Sequence, residues 1–318
     1  MKSFLLPGMT LLLAMLPLVS AAAADKVAVS LGTATPGGGF PVYGQAFTDT
    51  INEIETTLEV KPQNTKGSTE NIPLLEAGTI DLGLVQGEAA MEALNGIGRP
   101  PADLRILAAM YATPGMFVVR ADRAYRSIAD LKGKPVAFGA KGSGLVILAR
   151  YLLDGLGIDR DKDFDAIFLD KAGDGPDMVM SGKAAALWGA GVGWPGFVAV
   201  AKGPAGGRFI VPSAAEIKRI QAKHPFLKTL TVPAGTYQGQ TEPIVSVGSW
   251  SFVLARPSLP DDTAYKLARA LHKGEAAIAK RLAQASETTA ANTAAAAPKR
   301  ELIHPGVLRY LTEVGLVR

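Results

Sequence analysis

Four glycine-rich loops carry the residue types that could hold a small anion. Each loop follows a predicted strand and precedes a predicted helix, and together they cover residues 33–43, 67–71, 141–144 and 188–195. Glycine lets the backbone approach a ligand closely, and the amino end of the following helix offers unpaired N–H groups to an anion. In an open α/β sheet, ligands bind outside the carboxyl ends of the strands. These loops therefore predict a binding site.

Several side chains in or near the loops could add hydrogen bonds or apolar walls. Phe40 and Tyr43 could pack on a carbon skeleton, and Ser68 and Ser143 place hydroxyl groups at helix starts. Trp188 and the loop after it, which contains Trp194, could wall a pocket. Polar contacts could also come from two residues at strand ends, Gln86 and Tyr111.

A purely structural interpretation of these loops stays open. Each could be an ordinary strand–helix turn, the two serines could serve only as helix caps, and Lys141 could be a solvated surface charge. A nucleotide site is disfavoured, because Thr35-Pro36-Gly37-Gly38-Gly39 matches neither the dinucleotide fingerprint nor a phosphate-binding loop ending in Gly-Lys-Ser/Thr.

Composition argues against catalysis and metal binding. The 318 residues include no cysteine and only three histidines, and no serine sits in a Gly-x-Ser-x-Gly elbow. We therefore expect no catalytic residue, no metal and no cofactor. The net charge of +4 is mild, and no cluster of Lys and Arg with interleaved aromatics is present, so nucleic-acid binding is not expected.

The first residues have the pattern of an export signal. A basic start at Lys2 is followed by an apolar stretch over 4–19 and by small residues up to Ala24. This order predicts a signal peptide over residues 1–24, cleaved to leave a periplasmic protein. No second run of about 18 apolar residues follows, so we expect a soluble mature chain of two domains.

Strands that alternate with helices predict an α/β fold with a mostly parallel sheet. A second strand–glycine turn–helix unit over 135–156 indicates a second lobe, and a β-prone run over 245–255 returns the chain to the first. Specific predictions follow for three further segments. We predict two strands, 104–111 and 116–120, separated at Pro114-Gly115, one long helix over 261–285, and a frayed helix or surface loop over 288–298.

At this point an ordered set of motifs resembles a known family. The motifs are Leu31-Gly32-Thr33 through Gly44, Gly67-Ser68-x-x-Asn71, Leu74–Gly78, Asp81–Gln86, Ser127–Lys134, Gly142-Ser143-Gly144, Val232–Tyr237 with Gly239-Gln240, and His304-Pro305-Gly306. The chain resembles the TAXI-class solute-binding subunits of TRAP-type transporters. The segment Pro233-Ala234-Gly235-Thr236-Tyr237 and the late His304-Pro305-Gly306 are the specific parts of the match.

The resemblance implies an α/β, bilobed type II periplasmic-binding-protein fold with two mixed-sheet lobes joined by two crossover strands. Lobe 1 would comprise 25–119 plus 248–318 and lobe 2 would comprise 120–247, with hinges near Arg120 and near 245–247. The chain would be a monomer that binds a glutamate-like amino acid or a dicarboxylate between the lobes and delivers it to a TRAP-type membrane permease.

The motifs also carry over contact residues. These are Thr35, Gly39, Tyr43, Ser68, Asn71, Gln86, Ser143 and Gly144, with Tyr111 at the position of a recurrent aromatic residue. Phe40 stands where relatives more often have a tyrosine, and Lys141 stands where a neutral residue is usual. These departures affect the identity of the ligand more than the class of protein.

Two alternatives remain at this stage. The chain could be the binding component of an ATP-driven importer with the same fold and a different small ligand. It could also be a periplasmic enzyme built on this scaffold, such as a hydrolase.

Overall fold

The computed structural model describes residues 25–318. The predicted signal peptide over 1–24 lies outside the described residues. Between residues 25 and 318, no helix is both long enough and apolar enough to span a bilayer.

The described chain contains ten strands and twelve α-helices, which alternate for much of its length before four helices follow the last strand. The strands are β1 Val27–Gly32, β2 Leu58–Gln63, β3 Leu82–Val85, β4 Arg105–Arg120, β5 Pro135–Ala140, β6 Asp165–Leu169, β7 Ala186–Ala190, β8 Gly207–Ile210, β9 Lys228–Val232 and β10 Ile244–Ala255. The helices are α1 Gly39–Ile54, α2 Ser68–Glu76, α3 Gly87–Asn95, α4 Gly144–Gly155, α5 Arg160–Asp163, α6 Gly175–Met180, α7 Pro195–Lys202, α8 Ala214–Lys223, α9 Asp261–Lys273, α10 Glu275–Arg281, α11 Ala290–Ala296 and α12 Pro305–Glu313.

The strands form a mixed sheet in the order β2-β1-β3-β10-β4-β7-β5-β6, with β8 beside β4 and β9 beside β10. Parallel pairs lie at the two ends, where β1 contacts β2 and β3, and β5 contacts β6 and β7. In the middle, β4 and β10 are antiparallel to each other and both continue into the second half of the molecule. This is the expected bilobed α/β architecture with two crossover strands.

The apolar interior is divided in the same way. One core, containing Phe117, Phe138 and Trp188, is built from residues between Met116 and Val247. The sheet of the other half is covered on both faces. On one face of this sheet, helices α1, α9 and α12 cover a core that contains Phe47. On the other face, helices α2 and α3 cover a core that contains Leu75. The described chain therefore has one core in the second half and two in the first, and β4 and β10 contribute residues to the cores of both halves.

The prediction of two strands separated at Pro114-Gly115 is wrong, because β4 runs unbroken from Arg105 to Arg120. The Pro-Gly pair marks the position where β4 leaves its pairing with β10 and begins to pair with β7. Gly115 is needed there for close packing: a Cβ built on it would stand 2.5 Å from Cη2 of Trp188. Proline and glycine therefore mark a change of partner strand rather than a turn.

The prediction of one helix over 261–285 is also wrong. The segment divides at Gly274 into α9 and α10, and a short 3₁₀ turn over 283–287 follows. A Cβ at Gly274 would lie 2.5 Å from Cγ2 of Thr50, so the break lets this corner pack closely against α1.

The alanine- and threonine-rich segment after that turn contains helix α11 and is bonded into the fold. Thr288 Oγ1 donates to the carbonyl of Met110 at 2.7 Å, and Thr293 Oγ1 accepts from the N–H of Ala109 at 3.0 Å. Of the two predicted alternatives for 288–298, a helix is present, and buried threonines fasten it to β4.

Candidate functional site

A cavity lies between the two halves of the molecule, at the carboxyl ends of the strands. The cavity has a volume of about 40 Å³. That is several times the ~10–15 Å³ needed to hold one water molecule, so the cavity has room for a small solute. It is lined by Ala34, Thr35, Gly38, Gly39, Phe40, Lys66, Gly67, Ser68, Gln86, Tyr111, Thr113, Ala140, Ser143, Leu145, Ala172, Ala190 and Trp194.

Five helices point their amino ends at this cavity. Gly39 and Ser68 are the first residues of α1 and α2, and Gln86, Ser143 and Trp194 immediately precede α3, α4 and α7. All five residues line the cavity. Each helix amino end carries a partial positive charge of ~0.5. The arrangement therefore creates a positive potential from both halves of the molecule.

The backbone of the first two helices leaves donors available at the wall. Within the described chain, the N–H groups of Gly39, Phe40 and Ser68 make no hydrogen bond to another backbone group. The first N–H groups of a helix have no partner inside the helix, and an anion is a suitable acceptor for them.

Ser68 and Gln86 form a small polar cluster at the base of the cavity. Ser68 Oγ accepts from the backbone N–H of Gln86 at 3.1 Å, and both residues are almost fully buried. The side-chain Nε2 of Gln86 makes no hydrogen bond of good geometry with the described residues, although the amide lies close enough to the Glu88 carboxyl to oppose the rise in its pKa. A buried amide donor without a partner is costly, so a ligand oxygen at this position would be stabilising.

Gly144 brings the second half of the molecule against this polar cluster. A Cβ built on Gly144 would lie 2.5 Å from Cβ of Gln86 and 2.8 Å from Oγ of Ser68. A glycine at the start of α4 therefore allows a contact between the two halves that a larger residue would prevent. Ser143, beside it, caps the same helix, because its Oγ accepts from the N–H of Leu145 at 3.2 Å.

Aromatic side chains form the opposite wall. Trp194 and Tyr111 are 4% and 3% exposed and approach each other at Gly39. A Cβ on Gly39 would stand 3.6 Å from Nε1 of Trp194 and 3.7 Å from the Tyr111 hydroxyl oxygen. Burial raises the pKa of the Tyr111 hydroxyl, which keeps it protonated as a donor. Tyr43 stacks edge-on against Tyr111, with ring centroids 5.5 Å apart.

The two halves touch around the cavity, so the conformation is closed. The N–H of Thr69 donates to the carbonyl of Gly142 at 3.2 Å, and the N–H of Ala172 donates to Oγ1 of Thr35 at 3.2 Å. Farther out, Tyr151 of α4 donates to Oε1 of Glu92 on α3 at 2.8 Å. Contacts on more than one side of the cavity hold its two walls together.

The structure brings most of the predicted contact residues to one cavity. The ones that line it are Thr35, Gly39, Phe40, Ser68, Gln86, Tyr111, Ser143 and Trp194. Their roles as ligand contacts stay predictions.

The other predicted residues lie behind the wall. Tyr43 is buried in the core with its hydroxyl near Thr288. Asn71 Nδ2 donates to the carbonyls of Thr33 and Leu84, both at 2.8 Å, which ties strand ends together. Gly144 acts by close packing, as described above.

Sequence reasoning missed Lys66 and Thr113. Both Lys66 and Lys141 are exposed residues, but only Lys66 lines the cavity. Lys141, the lysine considered from sequence, lies outside the wall with its Nζ 3.9 Å from Oδ1 of Asp170. Because Lys66 directly precedes the Gly67-Ser68 motif, its place in the sequence could have indicated that it lies near the cavity. Thr113 lies in the stretch between the two strands predicted there, so its position on β4 could not be expected.

A buried acid lies directly behind Gln86. Glu88 on α3 is fully buried, and its Oε1 accepts from Ser249 Oγ on β10 at 2.7 Å. Burial raises the pKa of this carboxyl to about 7. Glu88 does not line the cavity, but it links the α3 amino end to a crossover strand.

Comparison with solved structures gives the same architecture at low sequence identity. A protein from Bordetella bronchiseptica RB50 matches with a TM-score of 0.58 at 15% identity, over 91% of this chain and 98% of that one. A structure described as a periplasmic transporter matches with a TM-score of 0.55 at 15% identity, over 83% and 88% of the two chains. A binding protein component of an ABC phosphonate transporter from Pseudomonas aeruginosa matches with a TM-score of 0.51 at 15% identity, over 83% and 82%.

These likenesses establish the fold, which is shared with periplasmic binding proteins. The model of one protein family, described as the NMT1-like family, covers residues 31–315. That match spans both halves of the molecule and every residue of the cavity wall. The chain therefore belongs to the NMT1-like family.

Proposed function

We propose that this protein is an extracytoplasmic solute receptor that encloses a small organic anion between its two lobes. The observation that carries the proposal is the cavity surrounded by helix amino ends from both halves of the molecule. Such ends attract anions, and a ligand held from both sides stabilises the closed arrangement of the lobes.

The lobe division expected from sequence is part of the proposal. Lobe 1 comprises 25–119 plus 248–318, and lobe 2 comprises 120–247. The separation of the cores supports it, because one core lies within residues 116–247 and the other two are built from residues 29–111 and 252–311. Opening then requires bending of two crossover strands and loss of the contacts around the cavity, such as that between Thr69 and Gly142.

Delivery to a membrane importer completes the proposed role. The similar phosphonate-binding component belongs to an ABC transporter, which favours an ATP-driven importer as the partner over the TRAP-type permease suggested by the sequence motifs. The predicted signal peptide supports a periplasmic location. A neighbouring gene for an ATP-hydrolysing subunit, rather than for a large TRAP-type permease, would distinguish the two partners.

A receptor fits the cavity better than an enzyme does. Both serine hydroxyl groups in the wall have structural hydrogen bonds, since Ser68 Oγ accepts from Gln86 and Ser143 Oγ accepts from Leu145. They position loops rather than stand beside a general base. Recovery of the ligand unchanged after incubation is the expected result.

Isothermal titration calorimetry of the purified protein tests the proposal. The titrants are a panel of small carboxylates, sulfonates and phosphonates, with neutral sugars and cationic amines as controls. We expect one-to-one binding of at least one anion with a Kd near micromolar, which corresponds to ~8 kcal/mol. Binding of neutral or cationic compounds alone would overturn it.

A further inference from the structure

We infer that the ligand of this cavity is an organic acid without an ammonium group, and that Lys66 is the side chain that pairs with its acidic group. The inference rests on the proposed function and narrows it. It also differs from the expectation from sequence, which included glutamate-like amino acids.

The first observation is the charge of the wall. Among the described residues that line the cavity, Lys66 is charged and the others are neutral. Lys66 stands at the boundary between the lobes, because a Cβ built on Gly142 would lie 2.7 Å from Cβ of Lys66. Lys66 is an exposed residue, and its long flexible side chain can bring the ammonium group to a ligand that both lobes enclose.

The second observation concerns the carboxylates nearest the wall. Glu70 uses Oε2 to accept from the backbone N–H of Lys66 at 2.5 Å. Glu88 and Glu287 lie behind the wall, where Glu88 accepts from Ser249 and Glu287 accepts from the N–H of Ala112 at 2.7 Å. Burial raises the pKa of both carboxyl groups, which favours their neutral forms. None of the three lines the cavity.

An ammonium group would also meet an unfavourable potential. Five helix amino ends face the cavity, and each repels a cation as it attracts an anion. Burial of a cation without a charged partner is strongly unfavourable. The same field lowers the free energy of a bound carboxylate, sulfonate or phosphonate.

The uncharged groups of the wall indicate what the rest of the ligand carries. The Tyr111 hydroxyl and the Trp194 indole N–H lie together beside Gly39, and the Gln86 amide, which also lies near Glu88, lines the same wall. These groups donate hydrogen bonds, so the ligand must supply acceptors. An oxo group, an ether or hydroxyl oxygen, or a second acidic group fits, and Phe40 and Leu145 offer apolar contact to a short carbon chain.

Matched pairs of acids that differ in the amine test the inference. Calorimetry would compare 2-oxoglutarate with glutamate, pyruvate with alanine, and ethylphosphonate with 2-aminoethylphosphonate. The same comparison would be made for the tightest acid found in the wider panel and its amine-bearing analogue. We expect the amine-bearing member of each binding pair to be at least about tenfold weaker.

The role of Lys66 is tested with a matched lysine. Lys66→Gln should weaken binding of the preferred acid by about tenfold or more, and Lys141→Gln, outside the wall, should change it less than about twofold. Circular dichroism and thermal unfolding would confirm that both variants fold. Equal losses in the two variants would overturn the assignment of Lys66.

The outcomes separate this inference from the proposed function. Tight binding of an amine-bearing acid, with its amine-free partner equal or weaker, overturns the inference and leaves the receptor function intact. A panel in which no organic anion binds overturns the receptor function itself.

Discussion

Tyr151 donates a 2.8 Å hydrogen bond to Glu92 across the boundary between the lobes. Tyr151 lies on α4 of the proposed lobe 2 and Glu92 on α3 of the proposed lobe 1, and Arg150 contacts the same carboxylate. The bond exists only while the cleft is closed, so its energy contributes to the closing equilibrium and thereby to the affinity for ligand.

Tyr151→Phe should therefore weaken ligand binding without reducing stability to the same extent. A hydrogen bond of this kind contributes ~0.5–1.5 kcal/mol, so we expect a loss of roughly two- to tenfold in affinity by calorimetry. Tyr265→Phe is the matched control, because Tyr265 donates to Glu313 at 2.7 Å within lobe 1. A similar loss of affinity in both variants would show that the interlobe bond has no special role.

Gly144→Ala should block closure. The new Cβ would stand 2.5 Å from Cβ of Gln86 in the closed form, and overpacking of this kind costs ~1–3 kcal/mol. We expect affinity to fall at least about fivefold. The melting temperature without ligand should change little, since opening of the cleft relieves the contact. Small-angle scattering that showed full ligand-induced compaction in the variant would contradict this prediction.

Ser143→Ala combines a loss of stability with a loss of binding. The Ser143 hydroxyl oxygen caps α4, and removal of such a cap costs ~1 kcal/mol. Ser213→Ala removes a comparable cap from α8, outside the cavity wall. We expect similar losses of stability in urea unfolding for the two variants, and weaker binding only for Ser143→Ala. Unchanged affinity in that variant would exclude Ser143 from ligand contact.

Because of Glu88, the free energy of unfolding of the protein should decrease as the pH rises. Its pKa increases from 4.5 to about 7 on folding because burial disfavours the charged carboxylate. Below pH 4.5 both states are protonated and the effect is absent. Between pH 4.5 and 7 the unfolded chain releases a proton that the folded protein retains, so the folded state loses ~1.4 kcal/mol per pH unit relative to the unfolded state.

The neutral variant Glu88→Gln isolates this effect, because all other groups titrate alike in the two proteins. Between pH 4.5 and pH 8, the free energy of unfolding of the variant, measured in urea, should rise by roughly 3 kcal/mol relative to that of the wild type. A difference that stays constant across this range would mean that Glu88 ionises normally in the folded protein.

Local patterns predicted much of the fold, because each depends on nearby residues. Helical spacing and the glycine turns located α1 and α4 to within a few residues. The error at Pro114-Gly115 has a different origin. These residues resemble a turn locally, and only the approach of Trp188 and the change of partner strand explain why the strand continues.

The candidate site shows the same difference between features set by nearby residues and features set by distant contacts. Sequence reasoning found the glycine loops at the helix starts, since strand–turn–helix order is a local property. It considered Lys141 mainly as a surface charge and did not consider Lys66, because only the meeting of the two lobes places Lys66 against Gly142. Asn71 was predicted as a contact, yet its amide joins strand ends, and no local pattern distinguishes these two uses.

The continuity of β4 and β10 also constrains the order in which the chain can fold. Arg105 pairs with Ala255, and Pro114 pairs with Gly248, so the centre of the lobe 1 sheet joins segments separated by more than a hundred residues. Contacts at such sequence separation form slowly, because a long loop must close first. A chain still being synthesised cannot complete lobe 1 until β10 has emerged. This delay keeps lobe 1 unfolded until synthesis is almost complete, which is compatible with the proposed export of the chain.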